Sequence, residues 1–217
     1  MTERHHTVDE RNYLPPMGRR WLLPLYDPLT RLAGVSRLHN GLADRATIQP
    51  GHRVLEIGCG TGNLLITVAR RHPAAEVIGI DPDPAALRRA RRKANRARRP
   101  VRLDRAFAGE LPYPDGSIDR VLSSLMWHHL DDDEKPRAMR EIRRVLRTGG
   151  QLHLVDFAGT TPTRGLRGHL IHRSPRLAGN SADRVLGTMR EAGLTDVAEN
   201  GQGRSRLGGY TYYRAAR

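Results

Sequence analysis

The sequence predicts an α/β fold, a doubly wound parallel sheet, and three observations carry that expectation. Strand-like apolar runs alternate with amphipathic helix-like stretches along most of the 217 residues, the pattern of a sheet covered on both faces. The first run opens onto VLEIGCGTGNLL (54–65), with Gly58, Gly60 and Gly62 at alternate positions, where a backbone must turn sharply and let a ligand lie against it. The second run closes on an acid, Asp81. In a doubly wound sheet, ligands lie beyond the carboxyl ends of the strands where strand order reverses, and both features fall there.

Residues 1–20 are polar and read as a loose arm; WLLPLYDPLTRLAG (21–34), broken by two prolines, reads as a short helical cap. An amphipathic helix is expected over 36–49, stopped by Pro50-Gly51. RVLEIG (53–58) is a buried strand, 63–72 a helix ended by Pro73, and EVIGID (76–81) a second strand. Asp83-Pro84 starts the next helix as an N-cap followed by proline at the first helical position. There Leu87, Ala90, Ala94 and Ala97 recur at core-facing spacings. The remaining faces carry Arg88, Arg89, Arg91, Arg92, Lys93, Arg96, Arg98 and Arg99, read as a solvated surface. VRLDRAF (101–107) is a third strand; IDRVLSSLM (118–126), introduced by the turn Pro114-Asp115-Gly116-Ser117, is the fourth. A helix over 133–146 stops at Thr148-Gly149-Gly150, and QLHLVDF (151–157) is the fifth strand. The stretch 158–180 is irregular; a helix near 181–192 and strands near 194–200 and 208–214 complete the chain.

The formal charge is +14, but all but two of the 37 basic residues are arginine and they are spread along the chain. That skew reads as compositional bias rather than as a nucleic-acid footprint, because the aromatic residues that stack bases are scarce, at 5%. Cys59 is the single cysteine, which excludes an intrachain disulfide and multi-cysteine metal sites. No run approaches the apolar length of a membrane span, and MTERHHTVDERN lacks the apolar core of a signal peptide. A cytoplasmic protein is expected; its oligomeric state is not addressed by the sequence.

Three nucleotide-binding patterns compete for the loop. A dinucleotide fingerprint requires glycine where Asn63 stands, and no Gly-Lys-Ser/Thr follows for a P-loop. Asp81 suits an adenosine ribose, whose two hydroxyl protons a carboxylate accepts. Glu56, inside an apolar strand, either pairs with an arginine or meets a cationic ligand group. An adenosine carrying an ammonium satisfies both acids, and S-adenosylmethionine is such a molecule.

E-x-G-C-G-T-G at 56–62, IDPDP at 80–84, LPYPDGSID at 111–119, SSLMWHHL at 123–130 and VLRTGGQLHLVDF at 145–157 together resemble the class I S-adenosylmethionine-dependent methyltransferases. Within these, the chain is most similar to the group of quinone-ring C-methyltransferases and small-molecule enzymes. The resemblance covers about residues 50–157 and implies seven strands, the last antiparallel. It implies one methyltransferase domain over 21–217, with a helical cap (21–50), a cofactor-binding core (51–157) and a substrate-side segment with the last strands (158–217).

By the same resemblance, Glu56 would engage the methionine ammonium, Gly58, Cys59, Gly60 and Gly62 would form the loop under the cofactor, and Asp81 would hold the ribose. Pro82 would pack near the adenine. The adenine-reading acid of many relatives is replaced by Ala106-Phe107-Ala108, so Phe107 and backbone at Ala108 would serve there. Leu125 and Met126 would line the methyl-transfer side, with Trp127 as a pocket wall. Enzymes of the phosphoethanolamine type imply a base at His129 partnered by Tyr26 or Tyr13 of the N-terminal segment; in other members the His128-His129 pair is packing. No metal is expected. The acceptor would be a small or lipid-like molecule, with an RNA methyltransferase or a non-catalytic cofactor-binding regulator as alternatives.

Overall fold

The computed structural model describes residues 34–158 and 180–217. In chain order these form α1 (Val35–Arg45), β1 (Arg53–Ile57), α2 (Asn63–Arg71), β2 (Glu76–Ile80), α3 (Pro84–Arg96), β3 (Arg102–Asp104) and β4 (Ile118–Ser124). A 3-10 turn over Trp127–His129, then α4 (Glu134–Val145), β5 (Leu146–Phe157), α5 (Ala182–Glu191), β6 (Thr195–Ser205) and β7 (Gly208–Ala216), complete the list. The seven strands lie in the order β3-β2-β1-β4-β5-β7-β6. β1 to β5 pair in parallel, and β7 runs antiparallel to both β5 and β6. The order reverses between β1 and β4, so the ligand crevice expected there has a definite place.

Side-chain alternation sends each strand's residues to two separate cores. Leu55, Ile57, Val121 and Leu154 pack with Ala138, Met139 and Ile142 of α4 and with Val185 and Met189 of α5. Val54, Val77, Leu122 and Val155 pack with Leu38 and Leu42 of α1, Leu65 and Val68 of α2, and Ala90 of α3. Glu56 shares its strand face with Val54 and so points toward α1–α3. Asp83 caps α3 by accepting from the Ala85 N–H at 2.8 Å, with Pro84 at the first helical position.

Several boundaries move. The predicted strand 101–107 is paired only over Arg102–Asp104, because β3 is an edge strand with β2 as its one neighbour. Past it the chain bends so that Phe107 bridges to Glu110. The predicted strand 118–126 stops at Ser124, and Trp127–His129 coil into the 3-10 turn. β5 starts at Leu146 rather than at 151; Gly149 and Gly150 exchange backbone hydrogen bonds with Arg217, which extends the pairing past the helix end. The arm 1–20, most of the cap 21–34 and most of the irregular stretch 158–180 lie outside the described residues. Among the described residues no helix is long and apolar enough to cross a membrane.

Candidate active site

The glycine loop is built by the acid that follows it in space. Asp81 Oδ2 accepts the Gly60 N–H at 2.9 Å, and Oδ1 accepts the Asp83 N–H at 2.9 Å. One carboxylate thus fixes both the turn after β1 and the start of α3. Gly58 has φ 70°, and a Cβ there would stand 2.9 Å from Met126 Cβ. Gly62, φ 79°, caps α2 and packs against Ala90. Lys93 of α3 reaches back to the loop, donating to Thr61 Oγ1 at 2.9 Å and Asn63 Oδ1 at 2.8 Å.

A cleft opens over this loop. It is lined by Glu56, Gly58, Cys59, Gly60, Asp81, Pro82, Phe107, Ala108, Leu125 and Met126. Ten of the eleven cofactor-binding residues expected from sequence therefore share one concave surface. The exception is Gly62, which serves helix packing. His39 of α1 and Glu134 of α4 join the lining, and no motif pointed to either. Leu125 turns with φ 53°, an uncommon conformation for a branched side chain. The backbone bends there at the cleft wall, held by the Leu125 N–H donating to the Val155 carbonyl.

Two acids give the cleft its electrostatic character. Glu56 is 4% exposed and its Oε2 is buried without a hydrogen-bond partner. Burial, and then the like charge of Asp81, push its carboxyl well above the ordinary range. Asp81 is pushed up to about 6 by burial, against the two backbone N–H groups that favour its ionised form. His39 is moved the other way, down to about 4, by burial and the Lys93 ammonium.

At the far end, beyond β4, stands a second arrangement. Asp156, fully buried on β5, accepts from the His128 ring, Nδ1 to Oδ1 at 2.6 Å, from the His128 N–H at 3.0 Å and from the Phe157 N–H at 2.7 Å. An ionised carboxylate accepts only, so Nδ1 is the donor of this pair and the ring's other nitrogen, Nε2, is left outside it. The His128 ring lies 4.1 Å from that of His129, which lines the cleft. Trp127, expected as a pocket wall, does not line this cleft: it is 1% exposed in the core with α4 and α5 and borders a separate cavity beside those helices. Tyr26 and Tyr13 lie outside the described residues.

The loop behind Phe107 is latched from α4. Arg144 donates to the Leu111 and Tyr113 carbonyls and pairs with Asp115 and Glu141, while Glu141 accepts the Leu111 N–H at 2.7 Å.

A methyltransferase domain model matches residues 54–150. The demethylmenaquinone methyltransferase of Thermus thermophilus is 37% identical over 155 residues, covering 70% of this chain and 68% of the relative. The chain belongs to the class I S-adenosylmethionine-dependent methyltransferases. The 27-O-demethylrifamycin SV methyltransferase of Amycolatopsis mediterranei is 35% identical over 73% of this chain, which spans only 60% of that relative. A solved S-adenosylmethionine-dependent methyltransferase from Aquifex aeolicus superposes with a TM-score of 0.67 at 18% identity, over 87% of this chain and 96% of that one, and shares the fold. The enzyme is thus a methyltransferase, and the cofactor of its family is S-adenosylmethionine.

The cleft fits that cofactor on its own terms. A buried carboxylate oxygen lacks a partner at one side, and a second carboxylate with spare lone pairs stands at the other.

Proposed function

We propose that this methyltransferase acts on a small or lipid-like acceptor that must lose a proton, a hydroxyl or an acidic ring carbon. The observation that carries the reading is the His128–Asp156 pair at 2.6 Å, one ring away from the cleft lining.

Glu56 would hold the cofactor's ammonium, Asp81 its ribose hydroxyls, and Gly58, Cys59 and Gly60 would let it lie against the loop. Gly62 would set the helix that follows. Pro82, Phe107 and Ala108 would enclose the adenine, with Arg144 and Glu141 keeping that loop in place. Leu125 and Met126 would face the transferred group. When bound, the cofactor supplies a sulfonium methyl, already electrophilic, so alignment accounts for much of the rate. What the protein must add for a protonated acceptor is a base. Asp156 holds His128 with Nε2 as the acceptor and would steady the imidazolium that forms, the arrangement of general-base pairs elsewhere. His129 would border the acceptor, and Tyr26 remains a proposed partner from the N-terminal segment.

The relatives named for demethylmenaquinone and for 27-O-demethylrifamycin support small organic acceptors, and they lend nothing to the RNA alternative. The test is an assay of methyl-labelled cofactor with a metabolite extract. A labelled small molecule that disappears with His128→Asn, while S-adenosylhomocysteine still binds, is the expected result. Label recovered only in RNA, or undiminished by the substitution, would defeat the reading.

A further inference from the structure

We propose that Glu56 stands protonated in the ligand-free enzyme and gives up its proton when the cofactor's ammonium arrives, so that cofactor binding releases one proton. The inference rests on the cleft being the cofactor site proposed above.

Glu56 sits mid-sheet, opposite Gly79 on β2 and Leu122 on β4, so neither neighbouring strand offers it a polar side chain. It is 4% exposed, lines the cleft, and its Oε2 finds no partner. The charged and titratable groups around it come from every packed element. β2 ends in Asp81, the glycine loop brings Cys59, α3 brings Asp83 and Lys93, α1 brings His39, and β5 brings His153. Across the cleft stand His129 and Glu134. Among the described residues none of the cations pairs with Glu56, and the one charge that moves its carboxyl appreciably is the like charge of Asp81. The Lys93 ammonium is committed to Thr61 and Asn63.

The Leu65 backbone N–H favours the ionised form, but burial and Asp81 outweigh it. An ionised carboxylate in such a place is far costlier than a neutral carboxyl, so the buried group keeps its proton. An arriving ammonium changes the balance by supplying both a donor and a countercharge. The Oε–H bond then breaks, its electron pair stays on the carboxylate, and the proton passes to solvent. The ammonium keeps all its protons and donates one as a hydrogen bond. A ligand without the ammonium has no such effect on Glu56.

Calorimetry measures this without turnover. S-adenosylhomocysteine, which carries the same ammonium, is titrated into the full chain near neutral pH in buffers of widely different ionisation enthalpy. The dependence of the observed heat on that enthalpy counts the protons released. Close to one is expected for S-adenosylhomocysteine and close to zero for 5′-methylthioadenosine, which lacks the amino acid. Affinity for the former should rise about tenfold per pH unit while Glu56 starts protonated. Glu56→Gln should bind 5′-methylthioadenosine as the wild type does, which shows the variant folded, and should release no proton with either ligand. Tight binding of S-adenosylhomocysteine with no proton exchange overturns the coupling and leaves the site standing, as does equal release with both ligands. No binding of either nucleoside overturns the site itself.

Discussion

Of the carboxylates buried at the carboxyl ends of the strands, Asp156 and Glu56 are treated in opposite ways. Asp156 on β5 receives three donors, two backbone N–H groups and the His128 ring. Glu56 on β1 is left with an oxygen that nothing in the described structure reaches. A buried polar atom without a partner costs roughly 1–3 kcal/mol, more if charged. The difference separates a residue completed by the fold from one that awaits a ligand. On the proposed reading it also divides the site: the cofactor end would be unfinished until occupied, while the acceptor end would carry its proton-handling pair ready-made.

The sharpest way to break this contrast is to neutralise the unfinished acid. Glu56→Gln should weaken S-adenosylhomocysteine by about 100-fold or more, since it removes a charge-assisted contact to the ammonium. The same change should raise the melting temperature of the ligand-free enzyme above neutral pH, because it removes a carboxyl that resists ionisation where it sits. Loss of both affinity and stability would mean that Glu56 is a structural acid like Asp156. For the completed acid the expectation reverses. Asp156→Asn should cut methyl transfer about 100-fold or more and destabilise the fold by roughly 1–3 kcal/mol, since its amide NH2 must face groups that donate. Its affinity for S-adenosylhomocysteine should stay within about threefold of the wild type. A variant that loses stability but shows an unchanged pH–rate profile would reduce the pair to packing.

A smaller effect follows from Asp81. Its native carboxyl is pushed from 3.8 up to about 6, so the folded state favours the protonated form. The stability this lends is fully present below the unfolded value and is lost as pH rises through about 6. Urea denaturation of wild type and Asp81→Asn should therefore differ in slope against pH across that window and run parallel above it. Least of all is expected from the arginine face of α3. Arg88→Glu with Arg92→Glu should change stability by no more than about 0.5 kcal/mol and leave small-molecule methylation intact. Loss of turnover would revive an anionic macromolecular partner.

Legibility in the sequence follows the same division. The glycine loop, Asp81 and the Asp83-Pro84 helix start are demands of local backbone, and a local demand leaves its mark on neighbouring residues. The sheet was likewise readable from alternation, though β3 was shortened by its edge position and β5 lengthened by Arg217 from the far end of the chain. What the sequence hides is pairing across elements. Asp156 lies 28 residues from His128 and meets it only because β4 and β5 are neighbours. His39 reaches the cleft because α1 packs against α2 and β5, and the Arg144–Glu141 latch depends on where α4 lies against the loop after β3. Trp127 misled for a related reason: its neighbours His129 and Met126 do line the cleft, but one residue on a 3-10 turn changes direction by about a third of a turn.

Two acids are proposed to span one nucleoside, and Asp81→Ala tests this most directly by calorimetry with S-adenosylhomocysteine, beside a circular-dichroism check of folding. A loss of about 100-fold in affinity by a folded variant is the predicted result, as two hydrogen bonds to an ionised group disappear. A folded Asp81→Ala that binds as tightly as the wild type would contradict it.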